Sequence, residues 1–103
     1  GKGYSVRDEI QIGMLRKGES YYFDTQLSIG NHYFFYIAGD GELFAVDIRI
    51  YDENWKMVSG NTTLEPVAEA DFIPEWSGTF HVKVTVSDAG DPGTYWYIIS
   101  GYK

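Results

Sequence analysis

The chain contains no cysteine, three prolines, eight basic residues against fifteen acidic ones, and no long hydrophobic run. The lack of cysteine excludes disulfides, thiol catalysis and cysteine-ligated zinc. A chain of 103 residues still buries enough apolar surface to fold without such cross-links. No stretch approaches the ~18 apolar residues of a membrane span, and the first residues contain no apolar signal region. We therefore expect no membrane insertion and no retained signal peptide.

The net charge of −7 limits the classes of partner. Nucleic acid binding needs a stripe of lysine and arginine, which the scattered basic residues of this chain do not form. Anionic membrane surfaces are disfavoured for the same electrostatic reason. An acidic surface most often keeps a protein soluble, and cation binding is the less favoured interpretation.

The chain is rich in aromatic and β-branched residues placed in alternating order. Aromatics make up 17% of the residues, and they favour pleated, half-buried strands. Val46, Ile48 and Ile50 alternate with polar side chains, which predicts a strand with one apolar face. The turn residues 52–54 and the following segment 55–58 then predict a hairpin.

The same alternation and turn signals recur along the chain, for about eight short strands in all. They predict an all-β fold, a two-sheet antiparallel sandwich of jelly-roll or Greek-key type, as one domain over residues 1–103. Residues 1–13 are expected to be an irregular or short helical lead-in before a strand near Met14, although Ile10, Ile12 and Met14 also fit strand alternation. Pro66 and Pro74 predict an edge or irregular strand between them.

Period-two alternation also predicts which side chains fill the core. The expected core residues are Phe23, Tyr33, Phe35, Ile37, Val46, Ile48, Ile50, Phe80, Val82, Val84, Tyr95, Tyr97 and Ile99. Side chains at the alternate strand positions are expected to point away from the core, and these residues are Tyr22, Phe34, Tyr36, Tyr51, Trp96 and Ile98.

The order of several short motifs resembles the bacterial pre-peptidase C-terminal (PPC) domain family. The match covers about residues 14–101, and its motifs are Gly18-Glu19-Ser20-Tyr21-Tyr22-Phe23, Gly30-Asn31-His32-Tyr33, Gly39-Asp40, Val46-Asp47-Ile48-Arg49-Ile50-Tyr51-Asp52, Ser77-Gly78-Thr79-Phe80 and Gly93-Thr94-Tyr95. The resemblance implies a jelly-roll sandwich, secreted or periplasmic, that assists a larger bacterial protein by binding or solubilising. It also implies collagen, carbohydrate or calcium binding in some relatives.

Outward-facing aromatic side chains are the main candidate binding residues. Planar rings on a sheet face can stack on sugar rings or cover the apolar surface of a partner, and large exposed apolar patches usually mark interaction sites. Burial of this face by the N-terminal segment or by a dimer partner is the alternative. The candidate binding residues are Tyr36, Tyr51, Trp96, Phe34 and Arg49, with His81 as a further polar contact if it shares a face with Arg49.

Loop carboxylates are weak candidates for calcium binding. Calcium takes six to eight oxygen ligands, so several loops would have to converge, and turn aspartates more simply bond their local backbone. The chain also departs from the PPC pattern, since Glu42-Leu43-Phe44-Ala45 stands where the family has an acidic residue before its acidic strand. The calcium candidates are Asp40, Glu42, Asp88 and Asp91.

No catalytic signature is present in the sequence. It contains no G-x-S-x-G elbow and no glycine-rich phosphate loop, and His32 and His81 lack a spaced third ligand. We therefore expect a non-enzymatic accessory module that uses no cofactor and binds a protein or an extended carbohydrate polymer. The alternative is a structural or solubilising domain, either a monomer or a homodimer, without a ligand of its own.

Overall fold

A computed structural model describes residues 5–103, which form nine β-strands and no helix. Consequently none of the described segments is a helix that could cross a membrane. The strands, numbered in chain order, are β1 (Ser5–Val6), β2 (Gln11–Leu15), β3 (Ser20–Leu27), β4 (Tyr33–Gly39), β5 (Leu43–Tyr51), β6 (Met57–Thr62), β7 (Val67–Phe72), β8 (Gly78–Ala89) and β9 (Thr94–Tyr102).

The strands form two antiparallel sheets packed as a sandwich. One sheet has five strands: β1 and β2 pair with one edge of β9, β4 pairs with its other edge, and β7 lies outside β4. The other sheet has the order β3-β8-β5-β6. The predicted β-sandwich is therefore confirmed, as are the β5–β6 hairpin and the edge position of β7.

The expected short helix is wrong, since residues 5–6 and 11–13 belong to strands and residues 7–10 are irregular. The strand alternation of Ile12 and Met14, which the sequence left open, describes β2. Ser5 and Val6 pair with Tyr102 and Gly101, and β2 already begins at Gln11 and pairs with residues 94–98. The edge of β9 supplies backbone partners that a short isolated helix could not match, so tertiary pairing overrides local propensity. Residues 1–4 of the lead-in lie outside the described residues.

The core lies between the sheets and follows the predicted alternation in β4, β5 and β8. Ile37, Val46, Ile48, Phe80 and Val82 are fully buried. Tyr33, Phe35, Ile50 and Val84 are buried with them, and Phe23 packs against this core from a partly buried position. The predicted core position of Ile99 is wrong, because Ile99 lies opposite Tyr36 on the outer side of the sheet and is outside the core cluster.

The predicted orientation of β9 is wrong. Trp96 and Ile98 are 1% and 2% exposed, whereas Tyr95 and Tyr97 are 62% and 39% exposed. The segment is apolar or aromatic at every position from 95 to 99, so alternation alone could not set its parity. Pairing with β4 sets it instead, because Ile98 lies opposite the buried Ile37.

An arginine fixes the segment between β1 and β2 to both sheets. The guanidinium of Arg7 donates to Ser100 Oγ of the five-stranded sheet at 3.2 Å and to Thr25 Oγ1 of the four-stranded sheet at 2.9 Å. It also lies 5.4 Å from the centroid of the Tyr33 ring, and the Arg7 backbone N–H bonds Ser100 O. These bonds hold the start of the described chain against the end of β9.

Candidate functional site

The structure divides the predicted binding residues between opposite sides of the sandwich. Phe34 and Tyr36 lie on β4, on the outer face of the five-stranded sheet, and Arg49 and Tyr51 lie on β5, on the outer face of the four-stranded sheet. Trp96 points into the core between them. The prediction that Trp96 faces outward is therefore wrong, and the five residues do not form one surface.

An exposed apolar surface occupies the outer side of β2 and β9. Met14 lies opposite Tyr95 and Ile12 opposite Tyr97, so these four side chains stand on the same side of the sheet. Ile12 is 74% exposed and Tyr95 62%. We call these four residues the β2–β9 face. Tyr36 lies opposite Ile99 on the next strand pair, so the predicted aromatic residues of β4 extend this face.

Acidic side chains border this surface along its far edge. Tyr36 lies opposite Glu69, and Phe34 lies opposite Asp71, both on the edge strand β7. Asp71 also pairs with His32, with 3.5 Å between its Oδ2 and the imidazole Nε2. An apolar centre with an acidic border complements a partner with an apolar patch and basic surroundings.

The carboxylate of Asp40 is held by hydrogen bonds at the end of β4. It accepts bonds from Thr94 Oγ1 at 2.7 Å, from the Glu42 backbone N–H at 2.8 Å and from the Tyr95 N–H at 3.2 Å. The Thr94 bond, followed by those from the two backbone N–H groups, lowers the pKa of Asp40 below the ordinary value of 3.8. Asp40 thus ties the loop after β4 to the start of β9, next to Tyr95.

The four calcium candidates are not brought together as a set. Asp88 lies 3.4 Å from Lys17 Nζ, and the Asp40 carboxylate is used by its own loop and by β9. Glu42 is exposed and lies close to Gly90. Within residues 5–103, no group of three or more histidine, aspartate or glutamate side chains could hold a metal ion. Calcium binding therefore gains no support from the geometry.

The opposite face carries charged side chains between aromatic rings. Arg49 Nε donates to Asp47 Oδ2 at 3.2 Å, and a hydrogen bond to Tyr51, followed by the charge of Asp47, raises the pKa of Arg49 above its ordinary value. On the neighbouring strand β8, His81 lies opposite Tyr51, and Lys83 lies opposite Arg49. Arg49 and His81 therefore share a face, which is the condition under which the sequence predicts both as polar contacts.

The sequence pattern does not identify several exposed residues of the two faces. The hairpin pattern predicts Trp55 in the returning strand, but β6 begins only at Met57, and Trp55 adopts a φ of 63° in the turn before it. The sequence likewise predicts Ile12 in the lead-in and Tyr95 and Tyr97 in the core. The alternation of Ile10, Ile12 and Met14 was the one sequence signal for a strand there, and nothing local identified its partner.

Comparison with known proteins defines the class of fold. No family model and no curated protein sequence matches this chain, and the resemblance to the PPC family stays a prediction. Among solved structures, the chain is similar to Aeromonas hydrophila PliG, a periplasmic lysozyme inhibitor of g-type lysozyme. The TM-score is 0.66 at 10% sequence identity, covering 100% of this chain and 90% of that one.

A second solved structure shows a weaker likeness. It is an arabinose-bound GH51 α-L-arabinofuranosidase, with a TM-score of 0.41 at 8% identity, covering 96% of this chain and 23% of the enzyme chain. Of these two structures, PliG is the one similar enough to describe the fold, and the likeness shows a shared β-sandwich.

Proposed function

We propose that this domain is a non-catalytic binding module of an exported protein, and that it recognises a basic protein surface with its β2–β9 face. The observation that carries the proposal is the exposure of Ile12, Met14, Tyr95 and Tyr97 in adjacent positions of two paired strands. Contiguous exposed apolar side chains of this kind mark interaction sites in soluble proteins.

The charge distribution supports a basic partner. The chain carries a net charge of −7, and Glu69 and Asp71 lie beside the aromatic residues of β4. Opposite charge accelerates the association of the two proteins and disfavours acidic proteins as partners. Most of the affinity comes from the apolar and aromatic side chains that become buried in the complex. A broad sheet face suits a protein surface better than a small molecule, which needs a concave pocket.

The likeness to PliG supports a non-enzymatic, exported, protein-binding role, since that neighbour is a periplasmic inhibitor of an enzyme. The same exposed face also supports a second candidate, a homodimer that buries Ile12 and Tyr95 against a second copy. In that case the domain would be structural or solubilising and would bind no other ligand.

Light scattering combined with binding measurements tests the proposal. We expect a monomer that binds at least one member of a panel of basic extracellular proteins, with a g-type lysozyme included because of the PliG likeness. Tyr95→Ala and Ile12→Ser should each weaken binding by about tenfold or more. Leu64→Ser is the matched control, because Leu64 is 92% exposed but lies outside this face.

Two results would contradict the proposal. One is a monomer that binds no basic protein, and the other is binding that Tyr95→Ala and Ile12→Ser leave unchanged. A dimer that dissociates in these variants, but not in Leu64→Ser, would establish the structural alternative.

A further inference from the structure

The outer face of the four-stranded sheet holds an indole in an unusual position. The Trp55 ring stacks on the His81 imidazole, with 4.0 Å between the ring centroids and 4° between the planes. The His81 side chain is only 16% exposed, while Trp55 remains 52% exposed. Since one face of the indole lies against His81, the exposed area is that of the opposite face.

The backbone holds Trp55 in this position at a conformational cost. Its φ of 63° lies in the left-handed region that glycine and asparagine favour and bulky residues avoid. The buried carboxylate of Asp52 stabilises the turn by accepting hydrogen bonds from the backbone N–H of Asn54 at 2.8 Å and of Lys56 at 2.9 Å. A strained, exposed aromatic residue at the tip of a well-bonded turn points to a functional constraint.

Two further rings flank the indole. The Tyr51 ring centroid lies 5.6 Å from that of Trp55, and the Tyr22 centroid lies 6.0 Å away at an interplanar angle of 71°. His81 is itself fixed by a 2.6 Å contact between its Nδ1 and Asp24 Oδ1. The ring is therefore supported from below and on two sides, which gives a preformed stacking platform.

The charges around this platform cancel. Lys83 and Asp24 lie on the same face as Arg49 and Asp47, so two cationic side chains accompany two acidic ones. Lys83 Nζ lies 5.7 Å from the Tyr22 ring centroid and Arg49 Nε bonds Asp47, so both cations already have partners within the chain. Neither a cationic nor an anionic ligand gains a net attraction here, whereas hydroxyl groups find donors and acceptors together.

We propose that Trp55, flanked by Tyr22 and Tyr51, is a binding platform for a neutral saccharide ring. The apolar C–H face of the sugar packs on the free indole face, and its hydroxyls bond the Arg49, Lys83 and Asp24 side chains. This site goes beyond the proposed protein-binding function, because it lies on the opposite side of the sandwich from the β2–β9 face.

Titration of the ¹⁵N-labelled domain with cellotetraose, chitotetraose and xylotetraose tests the proposal. We expect at least one of these neutral oligosaccharides to shift the indole N–H resonance of Trp55 at millimolar concentration, with little dependence on salt. Trp55→Gly should abolish binding while keeping the fold, since glycine adopts the turn conformation without strain. Trp76→Ala is the control, because Trp76 is also partly exposed but packs on Phe80, away from this face.

Other outcomes would overturn the proposal. These are the absence of any Trp55 indole shift with all three oligosaccharides, shifts of the backbone amides of Tyr22, Tyr51 and His81 that persist in folded Trp55→Gly at the same oligosaccharide concentration, or preferential binding of a heparin tetrasaccharide or a short single-stranded DNA. If Trp55→Gly does not fold, Tyr22→Ala and Tyr51→Ala must each weaken binding, and unchanged affinity in both would equally refute it. Tyr95→Ala, which tests protein binding, should leave saccharide binding intact. Failure of one proposal can therefore be distinguished from failure of the other.

Discussion

Gly13 and Trp96 are directly opposed across β2 and β9, and the indole lies beneath the glycine. A Cβ atom on Gly13 would lie 2.8 Å from Cζ2 of Trp96 and 3.0 Å from Cε2. Both distances are too short for carbon atoms, so only glycine lets β2 close over the buried ring. This contact holds β2 in the register that presents Ile12 and Met14 to solvent.

Gly13→Ala should therefore destabilise the domain. Forcing a methyl group against a buried ring costs about 1–3 kcal/mol in a packed core, and the indole or β2 must move. Urea unfolding monitored by tryptophan fluorescence measures the loss. Gly41→Ala is the control, because a Cβ there meets no atom within 4 Å; equal losses in the two variants would contradict this contact.

Trp96→Ala should act as a core truncation and not as the loss of a binding residue. The side chain is 1% exposed and contacts Tyr21, with 5.2 Å between ring centroids, and such truncations cost about 3–5 kcal/mol. Its neighbour Tyr95 is 62% exposed, so Tyr95→Ala should stay within about 0.5 kcal/mol of the wild type. Chemical denaturation of both variants checks this, and the reverse order of stabilities would mean that β9 has the opposite parity.

Substitution of Ile48 gives a second test of the core, because the sequence pattern already predicts that this residue is buried. It is fully buried, so Ile48→Val should cost about 1 kcal/mol through the lost methylene. Ile48→Asp should unfold the domain, because a buried unpaired charge is not tolerated. Far-ultraviolet circular dichroism distinguishes the two outcomes, and a folded Ile48→Asp would argue against burial at this position.

Asp40 should make the free energy of unfolding of the domain depend on pH. Because its pKa is lower in the folded chain than the ordinary 3.8, folding favours the ionised carboxylate. The contribution is present above pH 3.8 and is lost as the pH falls through the folded-state value.

Thr94→Val removes the strongest of the bonds that lower this pKa, so we expect the Asp40 value to rise towards 3.8. Carboxyl ¹³C chemical shifts followed against pH measure it. Thr62→Val, on the other sheet, should leave the Asp40 titration unchanged. A Thr94→Val titration identical to that of the wild type would show that the backbone N–H groups alone hold the carboxylate.

The parts of the fold that local alternation defines were predictable. Val46, Ile48 and Ile50 are flanked by polar residues, so period two alone identifies both the strand and its buried face. In β9 every position from 95 to 99 can be buried, and only the partner strand β4 decides which residues are. Which side chains of β9 face the core therefore depends on its pairing with β4, and the local sequence pattern does not determine it.

The candidate sites needed long-range information for the same reason. Ile12 and Tyr97 are far apart in sequence, and they form a surface only because β2 pairs with β9. The turn residues 52–54 predict that the returning strand begins at Trp55, whereas the Asp52 carboxylate bonds the backbone as far as Lys56 and extends the turn. The position of Trp55 over His81 depends on β5 lying beside β8.

The central position of β9 also determines the order in which the domain can form during synthesis. This strand leaves the ribosome after the eight others described, yet β1, β2 and β4 all pair with it. The five-stranded sheet therefore cannot assemble before residues 94–102 emerge, and until then β4 exposes an unpaired edge and an apolar side to the surroundings. Nascent chains that stall before this strand should depend on chaperones, and non-local pairing of this kind makes folding slow compared with helical domains of similar size.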